Sequence, residues 1–293
     1  MKYRALGNSG FNVSEIGFGC MSLKVDARDN EYLLRSAVDQ GVNFFDTADL
    51  YDQGENERLV GSALSPVRDQ IYLATKVGNR WKADGSGWEW AASKAYILEA
   101  VNKSLTRLQT DYIDLYQLHG GTLEDPIDEI IEAFELLKKQ GKIRSYGISS
   151  IRPNVIREYV SKSHISSTMM QYSLLDRRPE EACLSLLEES DIGVLARGSL
   201  AKGLLIDKPA KEYLGYSEND IIALQHAIKD SINPISIALH FVLNSSSISS
   251  SLLGIRTKDQ LDSIVKAYHQ DVTPNEITSA MEVLLPNVYT QHR

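Results

Sequence analysis

The sequence predicts a closed (β/α)8 TIM barrel, and three observations carry that prediction. Eight short runs rich in β-branched and aromatic residues recur near 16–20, 43–47, 71–76, 112–118, 143–148, 167–171, 192–197 and 250–254. Helix-like segments separate them, and 293 residues accommodate a barrel of roughly 250 with some to spare. Finally, Asp46, Tyr51, Lys76 and His119 fall at or just beyond the C-terminal ends of such runs, where a barrel builds its active site. An open doubly wound sheet would alternate in the same way. Against it, no GxGxxG follows the first strand, and Gly17-Phe18-Gly19-Cys20 is too short to be that fingerprint. The chain is therefore read as one barrel domain over 1–293.

The elements follow in order. YRALGNSGFNV opens the chain as a β-hairpin with Asn8-Ser9-Gly10 as its turn. The clearest helix runs from Asp125 to Gln140, with Ile127, Ile130, Ile131, Phe134 and Leu137 on one face. Pro126 near its start and Gly141 past its end suit helix termini. Surplus length is assigned to loops after the third and seventh strands and to a last helix around 274–285. SSSISSSL at 245–252 has apolar flanks and reads as an ordered strand rather than a linker.

Composition narrows the function classes. With 43% hydrophobic and 24% charged residues the chain resembles an ordinary globular protein. A net charge of -8 disfavours nucleic acid as a main partner, although a local basic pocket for a small anion stays open. No run approaches the ~20 apolar residues that span a membrane, and the N-terminus lacks a signal-peptide core. A cytoplasmic location is expected. Cys20 and Cys183 are isolated; two buried thiols are favoured over a disulfide, which sequence leaves open.

The polar quartet has a specific chemistry. A free phenol holds its proton too tightly to be an efficient donor at neutral pH, and a neighbouring ammonium stabilises the phenolate. A buried ammonium in turn needs a carboxylate. Tyr51 would be the donor, Lys76 the activating cation, Asp46 its counter-ion, and His119 the group that orients a substrate carbonyl. Asp46 alone could cap a loop and His119 alone could be a satisfied polar residue; together, in this order, they point to catalysis.

FDTADLYDQGENERLVG, DYIDLYQLH, GKIRSYGISS, MQYSLLDR and SLLGIRTKDQ together resemble the aldo-keto reductase family over nearly the whole chain. The resemblance implies a nicotinamide cofactor lying across the top of the barrel, with no metal. It carries onto Gly19, Cys20 and Met21 after the first strand, Asp46 after the second, Ser149 and Ser150 after the fifth and Gln171, a carboxamide-binding position, after the sixth. Ser150 stands where relatives commonly have Asn. Arg197 replaces the aromatic ring that many relatives stack on the nicotinamide, and a guanidinium can also stack on a flat ring. Gly198, Ser199, Leu200, Lys202 and Gly203 match the loop over the pyrophosphate, and Gly254, Arg256, Thr257 and Gln260 the adenosine end. Arg256 would pair with a 2′-phosphate, which favours NADP(H) and leaves NAD(H) open. Ile264 occupies a position where relatives often have an adenine-binding Asn.

On the substrate side, Tyr51, His119, Trp81 and Trp88 are the candidate contacts for a small carbonyl compound. All three tryptophans lie in GNRWKADGSGWEWAAS, a stretch that could be a mobile lid or could be anchored to the rim through Trp88 and Trp90. Gly120 and Gly121 replace bulkier residues of relatives, which would widen the pocket or loosen the loop. The expected activity is NADPH-dependent reduction of aldehydes or ketones. The same site would serve a sugar or polyol dehydrogenase working oxidatively. A cofactor-sensing module like potassium-channel β subunits is disfavoured, because the chain starts within a few residues of its hairpin. A metal-dependent hydrolase is disfavoured because the six histidines do not gather at strand ends. Oligomeric state is not readable.

Overall fold

The chain begins with an antiparallel hairpin, β1 (Tyr3–Ala5) and β2 (Asn12–Ser14), in register Tyr3 to Ser14. In the computed structural model, which describes residues 1–24, 29–231 and 233–293, eight parallel strands then close into a barrel. They are β3 (Ile16–Gly19), β4 (Phe44–Asp46), β5 (Tyr72–Val77), β8 (Ile113–Leu118), β9 (Ile143–Ser149), β10 (Ser167–Gln171), β11 (Gly193–Arg197) and β12 (Ile248–Gly254). Each pairs with the next, and β12 returns to β3. β6 (Asn79–Trp81) and β7 (Trp88–Trp90) form a separate antiparallel hairpin after β5.

Helices α1 (Asn30–Asp39), α2 (Glu55–Leu64), α3 (Lys94–Leu108), α4 (Ile127–Lys139), α5 (Pro153–Lys162) and α6 (Cys183–Glu189) connect successive strands. Two helices, α7 (Glu218–Ser231) and α8 (Pro234–Leu243), precede β12, and α9 (Lys258–Tyr268) and α10 (Pro274–Glu282) follow it. The expected barrel, its hairpin and its last helix are all present. SSSISSSL lies mostly within β12, as expected. None of the described helices is long and apolar enough to cross a membrane.

Helix α4 shows how the sequence fixes an outer element. Ile127, Ile130, Phe134 and Leu137 are buried, each full burial worth about 1.5–3 kcal/mol, while Ile131 sits at the edge of the face, half-buried. Pro126 stands just outside as the N-cap residue, so the helix begins at Ile127 rather than Asp125. Asp128 and Glu129 lie in its first turn and Lys138 and Lys139 in its last, each favourable to the helix dipole. Beneath the neighbouring helices, buried carboxylates tie strand to surface. Asp114 takes Arg68 at 2.6 Å and Arg144 at 3.2 Å, while Glu57 accepts from Thr75 Oγ1 and Arg107 Nε at 2.6 Å each.

The barrel interior is a smaller core of its own. Phe44, Ala74, Leu115, Met169, Leu195 and Leu252 pack there against Leu6, Phe11 and Val13 of the hairpin. The hairpin is therefore the floor of the barrel, closing its N-terminal mouth.

Candidate active site

The site rises from that apolar tier by simple strand alternation. Residues two apart share a face, so the side chains above Phe44, Ala74, Leu115, Met169 and Leu195 are Asp46, Lys76, Gln117, Gln171 and Arg197. His119, two beyond Gln117, continues the same face just past the end of β8. The barrel thus changes within one pleat from an apolar plug to a polar tier at its C-terminal mouth.

Lys76 sits at the centre of that tier, its side chain only 1% exposed. Its ammonium donates to Asp46 Oδ2 at 2.6 Å, to the Thr47 carbonyl at 2.7 Å and to the Tyr51 hydroxyl at 3.4 Å. Gln117 Nε2 donates to the second carboxylate oxygen, Asp46 Oδ1, at 3.2 Å. Burial alone would push the ammonium down, but Asp46 and Tyr51 together hold it above the ordinary lysine range. Lys76 therefore keeps its proton. Sequence reasoning missed Gln117 and Thr47. Gln117 could have been found as the polar member of IDLYQL on the face of Leu115 and His119; a backbone carbonyl such as Thr47 leaves no sequence signal.

Tyr51 is presented by an unusual turn. Asp52, Gln53 and Gly54, directly after it, all have left-handed backbone, with φ of 47°, 56° and 90°. Two consecutive non-glycine residues there store strain of order 1–3 kcal/mol each, which persists only where surroundings over-determine it. Behind this loop Asp49 is buried, with Oδ1 unpartnered and its carboxyl pushed up to about 8 by burial and then by Glu57. The ring of His119 meets that of Tyr51 edge-on at 5.8 Å between centroids. Burial, with Lys76 and Arg197 adding, pushes His119 down to about 3, so the imidazole is neutral. Among the described residues its Nδ1 is buried without a hydrogen-bond partner.

The candidate cofactor residues fall along one side of the mouth with unequal freedom. Gln171 and Arg197 are register neighbours at the ends of β10 and β11. Burial lowers the Arg197 guanidinium, opposed by Tyr51 and Asp176, and no carboxylate among the described residues lies within 4.0 Å of it. Ser149 is half-buried at the end of β9, while Ser150 is committed locally, accepting from Arg152 N at 3.2 Å. In the loop after β11, Gly198 is exposed, Leu200 packs on the core, Lys202 is exposed with φ 58°, and Gly203 follows. Ser199 is fully buried with Oγ bonded to Ser251 at 2.8 Å, so only its backbone remains for a ligand.

Gly19 and Gly254 pair at the ends of β3 and β12. Cys20 beside them is buried and its thiol pushed up by burial, while Met21 is exposed. Cys183 is likewise an unpaired buried thiol. Thr257 caps α9, accepting from Gln260 N at 3.2 Å, and Gln260 Oε1 accepts from Arg256 N at 2.9 Å. The Arg256 guanidinium is exposed and has no ion-pair partner among the described residues. Ile264 is buried in the core beneath α9, so its face of the helix cannot present a side chain to the groove.

The tryptophan segment is a fastened hairpin. Trp81 Nε1 donates to the Leu50 carbonyl at 2.9 Å, Trp90 Nε1 to Asp125 Oδ1 at 2.7 Å, and Asn79 Nδ2 to the His119 carbonyl at 3.1 Å. Trp88 is 54% exposed, so Trp81 and Trp90, and not Trp88, do the anchoring. The Trp90 ring also explains Gly120. With φ 137°, that glycine would place a Cβ only 3.2 Å from the ring, and at Gly78 the distance would be 2.9 Å. The space left by these glycines is filled by Trp90 rather than added to the pocket.

Among the described residues no three of His, Cys, Asp and Glu gather as a metal site.

Residues 15–284 match the model of the Aldo/keto reductase family. The chain is 49% identical, over an alignment of 306 residues covering 100% of both proteins, to the uncharacterized oxidoreductase YqkF of Bacillus subtilis (strain 168). It is 48% identical to the holo form of aldo-keto reductase AKR11C1 from Bacillus halodurans, with a TM-score of 0.96 over 100% of this chain and 99% of that one. Against the apo form of the same enzyme the TM-score is 0.88, at 44% identity and the same coverage.

Proposed function

Because the chain belongs to the aldo/keto reductase family, we propose that it is an NADPH-dependent oxidoreductase that reduces aldehydes or ketones to alcohols, with Tyr51 as proton donor. The observation that carries this reading is the buried Lys76–Asp46 pair beneath the Tyr51 hydroxyl, with a neutral His119 facing it. A bound nicotinamide dinucleotide supplies the hydride.

The residues of the chain do the rest. The carbonyl oxygen is received between the Tyr51 hydroxyl and His119 Nε2. Negative charge grows on that oxygen during reduction, and both groups can donate to it. As Tyr51 gives up its proton, the Lys76 ammonium at 3.4 Å stabilises the oxyanion left behind. Asp46, the Thr47 carbonyl and, through Asp46, Gln117 keep that ammonium charged and fixed. The reverse reaction would use the same groups in reverse order.

Several features fit a nicotinamide cofactor. Gln171 and Arg197, which has no ion-pair partner among the described residues, are register neighbours at the mouth, suited to an amide and a flat ring. Arg256 is exposed beyond β12 with no ion-pair partner among the described residues, as recognition of a 2′-phosphate requires, which favours NADPH over NADH.

Replacing Tyr51 by Phe tests the assignment. Fluorescence titration should show NADPH binding unchanged, while turnover on a panel of aldehydes and ketones, read by NADPH absorbance, falls by about 100- to 10,000-fold. Unchanged turnover would sink the mechanism.

A further inference from the structure

One side chain at the mouth comes from far along the chain. Gln171 Nε2 donates to the Tyr213 hydroxyl at 3.4 Å, a long bond between the end of β10 and the loop that follows β11. Tyr213 is half-buried and packs against the main core.

The turn that carries it is costly and well fastened. Tyr213 and Tyr216 exchange two backbone hydrogen bonds of 3.1 Å around Leu214 and Gly215, whose φ values are 50° and 90°. Two left-handed residues at a tight turn favour Asn or Gly, and Leu at the first position is strained. The strain is held by bonds to the C-terminal segment. Tyr216 Oη donates to the Leu285 carbonyl at 2.8 Å and accepts from Asn287 N at 3.1 Å, while Asn287 Nδ2 donates to the Leu214 carbonyl at 3.3 Å. Asn287 Oδ1 in turn accepts from Arg177 N at 2.8 Å, near the loop after β10. The turn is therefore tied back to the segment that leads away from Gln171.

We propose that Tyr213 is a positioning residue for the nicotinamide end of the cofactor. Its hydroxyl fixes one hydrogen of the Gln171 amide and so sets which way that amide faces. The remaining N–H and the Oε1 oxygen are then presented as a donor and acceptor pair, the complement of a carboxamide. A free glutamine side chain would lose rotamer freedom on binding; here Tyr213 has already restricted it. Burial keeps the phenol protonated and able to take part in this bond. The inference rests on the cofactor reading above.

The test is a pair of binding titrations on wild type and Tyr213→Phe, which keeps the ring and its packing. NADPH affinity should fall about three- to tenfold, the usual effect of one neutral hydrogen bond. Affinity for 2′-phospho-ADP-ribose, which lacks the nicotinamide, should be unchanged. In a Gln171→Ala background, the same substitution should cost nothing further. Equal weakening of both ligands, no weakening of either, or additive losses with Gln171→Ala would overturn the role of Tyr213. Failure of the wild-type protein to bind NADPH would overturn the cofactor reading itself, and this assignment with it.

Discussion

Asp46→Asn isolates what the buried ion pair contributes. The substitution keeps the size and an acceptor but removes the carboxylate that, among the described residues, is paired with an ammonium that is 1% exposed. Two neutral partners, the Thr47 carbonyl and the Tyr51 hydroxyl, remain. Two unit charges about 4 Å apart attract by about 4 kcal/mol at an effective dielectric of about 20. Breaking one side of a buried pair costs about 3–5 kcal/mol, in the same range. For a chain of this size that lowers Tm by on the order of 10 °C. The pH dependence has a definite sign. Burial presses the Lys76 ammonium down, but Asp46 and Tyr51 hold it above its ordinary range. Its stabilisation is thus fully present below the usual lysine value of about 10.4 and is lost as pH rises through the higher folded value. In the variant burial acts against the ammonium with less opposition. The stability gap between the two proteins, measured by urea unfolding, should therefore be largest near neutral pH and narrow above about pH 10. A gap under about 1 kcal/mol at neutral pH, or one that widens at alkaline pH, would refute the pairing.

Two further outcomes can be checked on purified protein. Arg256→Ala should weaken NADPH binding by about 10- to 100-fold, the worth of charge-assisted hydrogen bonds, and leave NADH binding unchanged; equal loss for both would remove the 2′-phosphate role. Gly120→Ala should destabilise the fold by about 1–3 kcal/mol, because φ is 137° and the new methyl meets the Trp90 ring. Pairing it with Trp90→Phe should recover part of that loss, and wild-type stability of the single variant would show that the ring is not held where Asp125 places it.

The sequence made the barrel legible because strand identity is written in local pattern. Each expected run matches a strand to within a few residues; Asp46 ends β4, Lys76 lies one residue short of the end of β5, His119 lies one past β8, and Tyr51 lies in the turn after β4. Gln117 was also encoded, as the polar interruption of IDLYQL, but its significance depends on which face of β8 lines the barrel. Trp90 shows a different limit. The paired glycines at 120 and 121 suggested open space, and only the three-dimensional return of the β6–β7 hairpin shows the first of them beneath an indole. Ile264 was read by position in a motif, whereas helix periodicity places it with Leu261 and Tyr268 against the core. Tyr213 was beyond reach altogether: its approach to Gln171 depends on a turn fastened by residues more than seventy positions later.

The hairpin floor has a consequence for the order of events in a catalytic cycle. Leu6, Phe11 and Val13 seal the lower mouth, and an apolar tier separates them from Lys76. From below, Lys76 is thus approached across apolar side chains of the described residues. In the proposed reaction, the C-terminal mouth is the opening by which the alcohol departs and by which the phenolate left on Tyr51 would meet solvent. Reprotonation and product egress would then share one route, which couples recovery of the acid to the emptying of the cleft.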